Sequence, residues 1–403
     1  MSEPAILVQP SPLHTRTAPL CLTNCWVQDA RLTLVDVYRS LDEEYWALRE
    51  GVGLFDASAF FAYRISGPDA LAGVEHLVTR QVAHLAPGAF TQTVWCDDYG
   101  HVIGVGRVLC IDAETYELQT RARALAWIED TVAGLRCRVD ETTGADAGLG
   151  LVGPRASSVL DHLGAKAAIA LASGQTMAWE TKGLSLRIGR MGSCGSPAFR
   201  LWVKAADAPL AWDRVMAAGA EEGLKPVGAR ARELARIEAG LPRLGVDFVS
   251  ALEAVPWSSA ATPAALGLAT LVDDGKGLFV GRTALRRAPE PSQVLARLQV
   301  EAEGPYAPAF ILKGARPVGF VTSGAWSPLM GAGFAFAWVE AEALAVTQPL
   351  RLMRPPRLGQ PLEPNGVPCA VRDDAAVGDA IRTHLDTVQS EGDGRVPLLA
   401  LNS

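Results

Sequence analysis

The stretch Lys225-Pro-Val-Gly-Ala-Arg-Ala-Arg-Glu-Leu-Ala-Arg-Ile-Glu-Ala-Gly-Leu-Pro242 decides how the chain is read. It reads as one helix: Pro226 suits a first turn, strong helix formers fill the middle, and Gly240 followed by Pro242 supplies the stop. Ala231, Leu234 and Ile237 fall on one apolar stripe, while Arg232 and Arg236 stand one turn apart and Glu238 sits near the end. An acid and two guanidinium groups are thereby gathered beside a face that must be buried. Arg236 and Glu238 are expected to act as a structural pair anchoring the helix, because an unpaired buried charge costs several kcal/mol.

The chain has 403 residues, enough for two or three domains with separate cores. A net charge of -7 without a sustained Lys/Arg run argues against a general nucleic-acid or anionic-membrane binder. The expected partner is a small-molecule substrate, with the chain a monomer or homo-oligomer. Met1-Ser-Glu-Pro-Ala-Ile-Leu-Val-Gln-Pro10 lacks the basic end and apolar core of a secretory signal, and no apolar run is long enough to cross a bilayer. Seven cysteines are scattered, with Cys21 and Cys25 lacking a second pair, so reduced thiols in a cytoplasm are expected. Six dispersed histidines without His-x-x-x-His spacing give no expected metal site.

Working outward, Ser40 with Glu43 three residues on is a cap for a helix running to Glu50. Gly51-Val-Gly-Leu-Phe-Asp-Ala-Ser58 follows at once. Phe61-Ala-Tyr-Arg-Ile-Ser66 alternates as a strand, and Gly67-Pro-Asp-Ala70 turns into a helix ending near Leu77. Thr91 to Cys110 is a hairpin with Asp98-Tyr-Gly-His101 at its turn. Tyr116 to Thr120 is another strand, and Ala124 to Leu135 a helix. Gly150-Leu-Val-Gly-Pro154 opens a second strand, turn and helix, a weak internal repeat. Leu184 to Arg190 is a strand running into Met191-Gly-Ser-Cys-Gly-Ser-Pro-Ala-Phe-Arg-Leu201. Ala288-Pro-Glu-Pro-Ser292 marks a linker into short strands, from Gln293 to Val300, around Phe310, and through Pro317-Val-Gly-Phe-Val-Thr-Ser-Gly-Ala-Trp-Ser-Pro328. A polar tail begins about Glu391.

The helix, with Arg232, Arg236, Glu238, Ala239 and Gly240 in place, resembles the Ala-Arg-Asp-x-Leu-Arg-Leu-Glu-Ala-Gly-Leu-Pro signature of the aminomethyltransferase family, the T-protein of glycine cleavage and its folate-dependent demethylase relatives. Gly51 to Ser58, the Gly-Pro-Asp-Ala turn, Thr262-Pro263, Lys276 to Leu285 and Val318 to Pro328 resemble further motifs of that family, and together the likeness spans roughly Gly51 to Val339. It implies an α+β fold, a T-protein-like three-domain ring of two related α+β subdomains and a C-terminal β-barrel. The expected divisions are 1–50 with 145–290, an inserted 51–144, a barrel at 291–385, and a tail at 386–403.

The ligand motifs depart from the family. Its hairpin Gly-Gly-Ile-x-Asp-Asp corresponds here to Gly100, His101, Val102, Ile103, Gly104 and Val105, so both aspartates are gone. Ser196 and Arg200 stand where the family has carboxylates that hold a pterin, and an arginine only donates hydrogen bonds. The expected cofactor is none or tetrahydrofolate. Asp97, Tyr99 and His101 crowd the hairpin and are candidate acid–base groups. Trp95, Arg107, Arg121, Arg200, Arg232 and Trp326 are candidate substrate contacts, with Arg64 a further cation that could join a positive pocket for a phenolate, carboxylate or phosphate. The resemblance then implies a one-carbon enzyme acting on a small lignin-type phenolic aromatic, by O-demethylation or by folate-independent release of formaldehyde. The alternatives are a tetrahydrofolate-dependent aminomethyltransferase and a non-catalytic assembly protein. The latter carries Lys-Gly-Cys where this chain has Lys276-Gly-Leu278.

Overall fold

The computed structural model describes residues 9–181, 183–192, 196–254, 260–304, 306–344, 349–354 and 366–371; the expected polar tail and Gly195 lie outside them. The organising helix runs Ala229–Glu238, and the four residues expected to open it, Lys225 to Gly228, precede it. Lys225–Pro226 is instead a short strand lying parallel to Gly53–Leu54. Proline lacks the N–H a helix interior uses and suits such an edge position. Gly228 then caps the helix in extended conformation, so close to the chain below that a Cβ there would lie 2.2 Å from the Asp36 carbonyl oxygen.

The Glu44 carboxylate fixes this junction. It accepts the Gly228 N–H at 2.7 Å and the Tyr38 and Arg39 N–H groups at 2.6 and 3.1 Å. The expected cap at Ser40 is therefore replaced: Ser40 precedes the helix Leu41–Arg49 without a side-chain cap bond, and Glu44 rather than Glu43 reaches back. Burial raises the Glu44 pKa, while the three N–H groups pull against that rise.

Beside a small sheet of Gln9–Pro10, Leu32–Val37 and Cys25–Asp29, two larger sheets follow from the chain pattern. The first orders Thr176–Thr181, Leu184–Met191, Ala198–Lys204, Asp146–Val152, Gly53–Asp56 and Lys225–Pro226. The second orders Phe90–Cys96, Val102–Asp112, Thr115–Thr120, Phe61–Ser66 and Arg138–Glu141. Gly53–Asp56 pairs with Asp146–Val152, so the chain leaves the first sheet after Asp56 and not at residue 51 as the division 51–144 had it. Each sheet is covered by a helix that follows a Gly-Pro turn. Gly67 (φ +129°) leads to Ala70–Leu77, and Gly153 (φ +136°) leads to Ala156–His162. Both glycines adopt a backbone that side chains resist, which gives the expected repeat a physical basis.

Beyond Ser292, six antiparallel strands from Gln293–Val300 to Val367–Val371 close into a barrel. Leu54, Leu149 and Leu151 centre the first sheet's core, and Tyr63, Ile65 and Trp95 the second's. Among the described residues no helix is long and apolar enough to cross a membrane.

Candidate functional site

A cavity of about 380 Å³ is walled by both sheets and the helix Ala229–Glu238. Side-chain alternation aims the wall residues. On Val102–Asp112 the odd positions Val105 and Arg107 line the cavity, and opposite Arg107 stand Gln92 and Gln119, its register partners on the two neighbouring strands. From the first sheet come Phe55, Phe199 and Arg200, and from the helix Arg232, Glu233 and Arg236. Phe60 in the loop before the second sheet, Arg49, Arg121 and Arg243 complete a wall in which seven arginines face two carboxylates, Asp29 and Glu233.

Those two carboxylates are already engaged. Asp29 accepts from Arg121 and, at 3.2 Å, from Arg243, while Glu233 accepts from Arg236 and, at 2.9 Å, from Arg243. Arg232 donates to the Asp56 carbonyl at 3.0 Å with its guanidinium 4.4 Å over the Phe55 ring. Arg200 donates to the Ala57 carbonyl and lies 5.2 Å over Phe60. Among the described residues Arg107 has neither a hydrogen-bond nor an ion-pair partner. Burial alone lowers its pKa, to about 10. Burial, then Arg243 and Arg232, lower that of Arg121 to about 9, and burial with Arg107, Arg232 and Arg121 pushes Arg200 well down. A guanidinium keeps its charge in a protein, so among the described residues the cavity wall carries more cations than carboxylates.

Four sequence-picked arginines, Arg107, Arg121, Arg200 and Arg232, thus meet in one cavity. Other candidates do not. Asp97, Tyr99 and His101 sit at the hairpin tip, where the Asp97 Oδ1 accepts the Tyr99 and His101 N–H groups at 3.0 and 2.8 Å and Tyr99 is 78% exposed. They are turn residues outside the cavity wall, and the acid–base expectation is corrected accordingly. Trp95 is fully buried in the core of the second sheet, its indole lying over Gly104. Trp326 lies on the barrel strand Arg316–Ser327, opposite Gly333, and does not line the cavity. Arg64 points to Glu117 at 3.6 Å. Arg236 and Glu238 are both paired, but not as one unit: Glu238 binds Arg49 and the Tyr45 hydroxyl at 2.6 Å, and Arg236 binds Glu233 and Asp247. Arg49, Arg243, Asp29, Gln92 and Gln119 went unnoticed, since nothing in their local sequence distinguishes them from surface polar residues.

Residues 23–273 match the GCVT N-terminal domain, and residues 294–354 match the Glycine cleavage T-protein C-terminal barrel domain. The chain belongs to the glycine cleavage T-protein family. It is 33% identical over 317 residues to an aminomethyltransferase of Moorella thermoacetica, covering 75% of this chain and 82% of that one. It is 30% identical over 322 residues to an aminomethyltransferase of Geobacillus kaustophilus, covering 77% and 85%. The aminomethyltransferase T of the glycine cleavage system from Bartonella henselae shares its fold, with a TM-score of 0.77 at 21% identity over 91% of this chain and 97% of that one. The expected α+β architecture with its terminal barrel is that of the family.

Within the family frame the wall carboxylates are not free to accept from tetrahydrofolate's pterin, whose edge donates N–H groups, and among the described wall residues Gln119 Oε1 is the buried acceptor left without a partner. Both wall carboxylates are consumed by arginines, the Ser196 hydroxyl donates to the Leu48 carbonyl at 2.9 Å, and Arg200 is itself a donor. Of the two hairpin positions that have lost an aspartate, Val105 faces the cavity, while Gly104 faces Trp95 at a distance that admits no side chain.

Proposed function

We propose that this member of the T-protein family is a one-carbon enzyme acting on a small anionic aromatic, most simply a phenol bearing a hydroxymethyl group, and releases formaldehyde without folate. The observation that carries this is the excess of guanidinium groups, two of them stacked on Phe55 and Phe60, in a cavity whose two wall carboxylates among the described residues are both paired. Such a wall lowers the pKa of a bound phenol and steadies its phenolate. The phenolate first takes up a proton on the ortho or para ring carbon that bears the hydroxymethyl group, giving the cyclohexadienone. The hydroxymethyl O–H then gives up its proton, the bond from that ring carbon to the hydroxymethyl carbon breaks, and its electron pair passes through the dienone back to the ring oxygen, so the products are the phenolate and formaldehyde with no oxidant required. Arg200 and Arg232 hold the negative charge that collects on the ring oxygen. Phe55 and Phe60 flank the ring.

The test is to incubate the purified chain with methoxylated and hydroxymethylated phenols, with and without tetrahydrofolate, and to assay formaldehyde and methyltetrahydrofolate. Formaldehyde release independent of folate is expected. Absence of turnover with every aromatic ends the proposal. The second reading, a tetrahydrofolate-dependent aminomethyltransferase, is supported by the relatives' activity, and rescue of a strain lacking its T-protein would favour it.

A further inference from the structure

Three residues of the cavity floor form a row that the reaction above does not explain. Gln92, Arg107 and Gln119 sit side by side on Phe90–Cys96, Val102–Asp112 and Thr115–Thr120, and all three line the cavity. The middle member is the guanidinium without a partner. Gln119 is 4% exposed, and its buried Oε1 has no hydrogen-bond partner, while its Nε2 donates to Glu117 at 2.8 Å. A cation held in a wall without a counter-charge costs stability, and a chain that keeps one there has a use for it.

We propose that this row is a carboxylate-binding subsite, with Arg107 as the bidentate anchor and the Gln92 and Gln119 amides as flanking hydrogen-bond groups, so that the ligand is an aromatic acid. The inference rests on the cavity being the substrate site. A planar carboxylate matches the two parallel N–H bonds of one guanidinium. The orphan Gln119 oxygen can accept from an ortho hydroxyl or from an ordered water beside that carboxylate. Arg200 stands close enough to Arg107 to feel its charge, and places a second cation within the same pocket for the phenolate end.

The test is calorimetric titration of the full chain with benzoate, methyl benzoate and inorganic phosphate. Benzoate is expected to bind roughly 10- to 100-fold more tightly than its ester, the range for a lost charged hydrogen-bond pair. Arg107→Gln is expected to fold, to melt no lower than the parent, and to bind acid and ester alike. Gln92→Glu, on the exposed end of the row, supplies the chain's own carboxylate to Arg107 and is expected to abolish benzoate binding. Equal binding of acid and ester by the parent overturns the proposal. So does a preference for the acid that survives in Arg107→Gln, or phosphate binding without benzoate binding. The two readings fail separately. Acid binding lost in Arg107→Gln without formaldehyde release from any aromatic keeps the subsite and ends the lyase reading. Equal turnover of acids and esters does the reverse.

Discussion

At the scale of the residue, the contrast is between polar groups that hold the fold and those that have nothing to hold. Asp97 is of the first kind, and Asp97→Ala is expected to cost about 1 kcal/mol in denaturant unfolding through its lost turn bonds while leaving formaldehyde release unchanged. A large drop in turnover would return the hairpin tip to the chemistry. Val105 offers the opposite experiment. Val105→Asp places a carboxylate two residues from the unpartnered Arg107 on the same strand, and calorimetry should show weaker binding of aromatic acids, by roughly tenfold or more; tighter binding would contradict the charge reading. Arg200 was legible because it stands where an otherwise well-kept motif has a carboxylate, and Arg232 because it belongs to the helix signature itself. Asp97 and His101 misled because a tight turn also gathers short polar side chains, and sequence alone does not say whether their bonds go to a ligand or to the backbone. Arg243 and Gln119 were out of reach, since the cavity joins segments as far apart as Asp29 and Leu244 without any fixed spacing.

At the scale of the element, the helix Ala229–Glu238 acts as a strut carrying charge on both flanks. Glu238 and Arg49 are both fully buried, so Glu238→Ala is expected to lose about 3–5 kcal/mol in chemical denaturation. A loss below 1 kcal/mol would mean that the pair is not needed. Glu233 gives a pH signature. Burial pushes its pKa up, but Arg236 and Arg243 more than offset this and hold it below the ordinary value of 4.5. The sign follows: the folded state binds the proton later than the unfolded one, so this stability is present above 4.5 and is lost as pH falls below it. Unfolding of the parent should therefore lose stability faster than that of Glu233→Gln between about pH 5 and 3; parallel curves would contradict it. The hairpin has its own constraint. A Cβ at Gly104 would lie 2.2 Å from the Trp95 ring, so Gly104→Ala should destabilise by about 1–3 kcal/mol. Strand alternation predicted the hairpin correctly but not that Trp95 lies on the core side, because alternation gives two faces without naming which is which.

At the scale of the molecule, the barrel is fastened to the cavity wall through Asp247. That carboxylate accepts from Thr322 and Ser323 of the barrel at 2.8 and 2.6 Å and from Arg236 of the helix, while the Asp247 carbonyl accepts the Trp338 indole N–H at 2.9 Å. The architecture was readable because turns and the linker at Ala288 to Ser292 are local signals, and the likeness of the two Gly-Pro units survives as a shared backbone conformation. The division at residue 51 was misplaced because Gly53–Asp56 is a short strand whose partner, Asp146–Val152, lies almost a hundred residues on, and only pairing reveals it. Charge balance within the cavity is likewise a property of the whole assembly. The measurement that bears on it most directly is a crystal structure of the chain soaked with an aromatic acid: the carboxylate should lie within hydrogen-bond distance of Arg107, with the ring between Phe55 and Phe60. A ligand bound elsewhere, or Arg107 paired with a carboxylate of the protein itself, would contradict the reading of this cavity as an anion site.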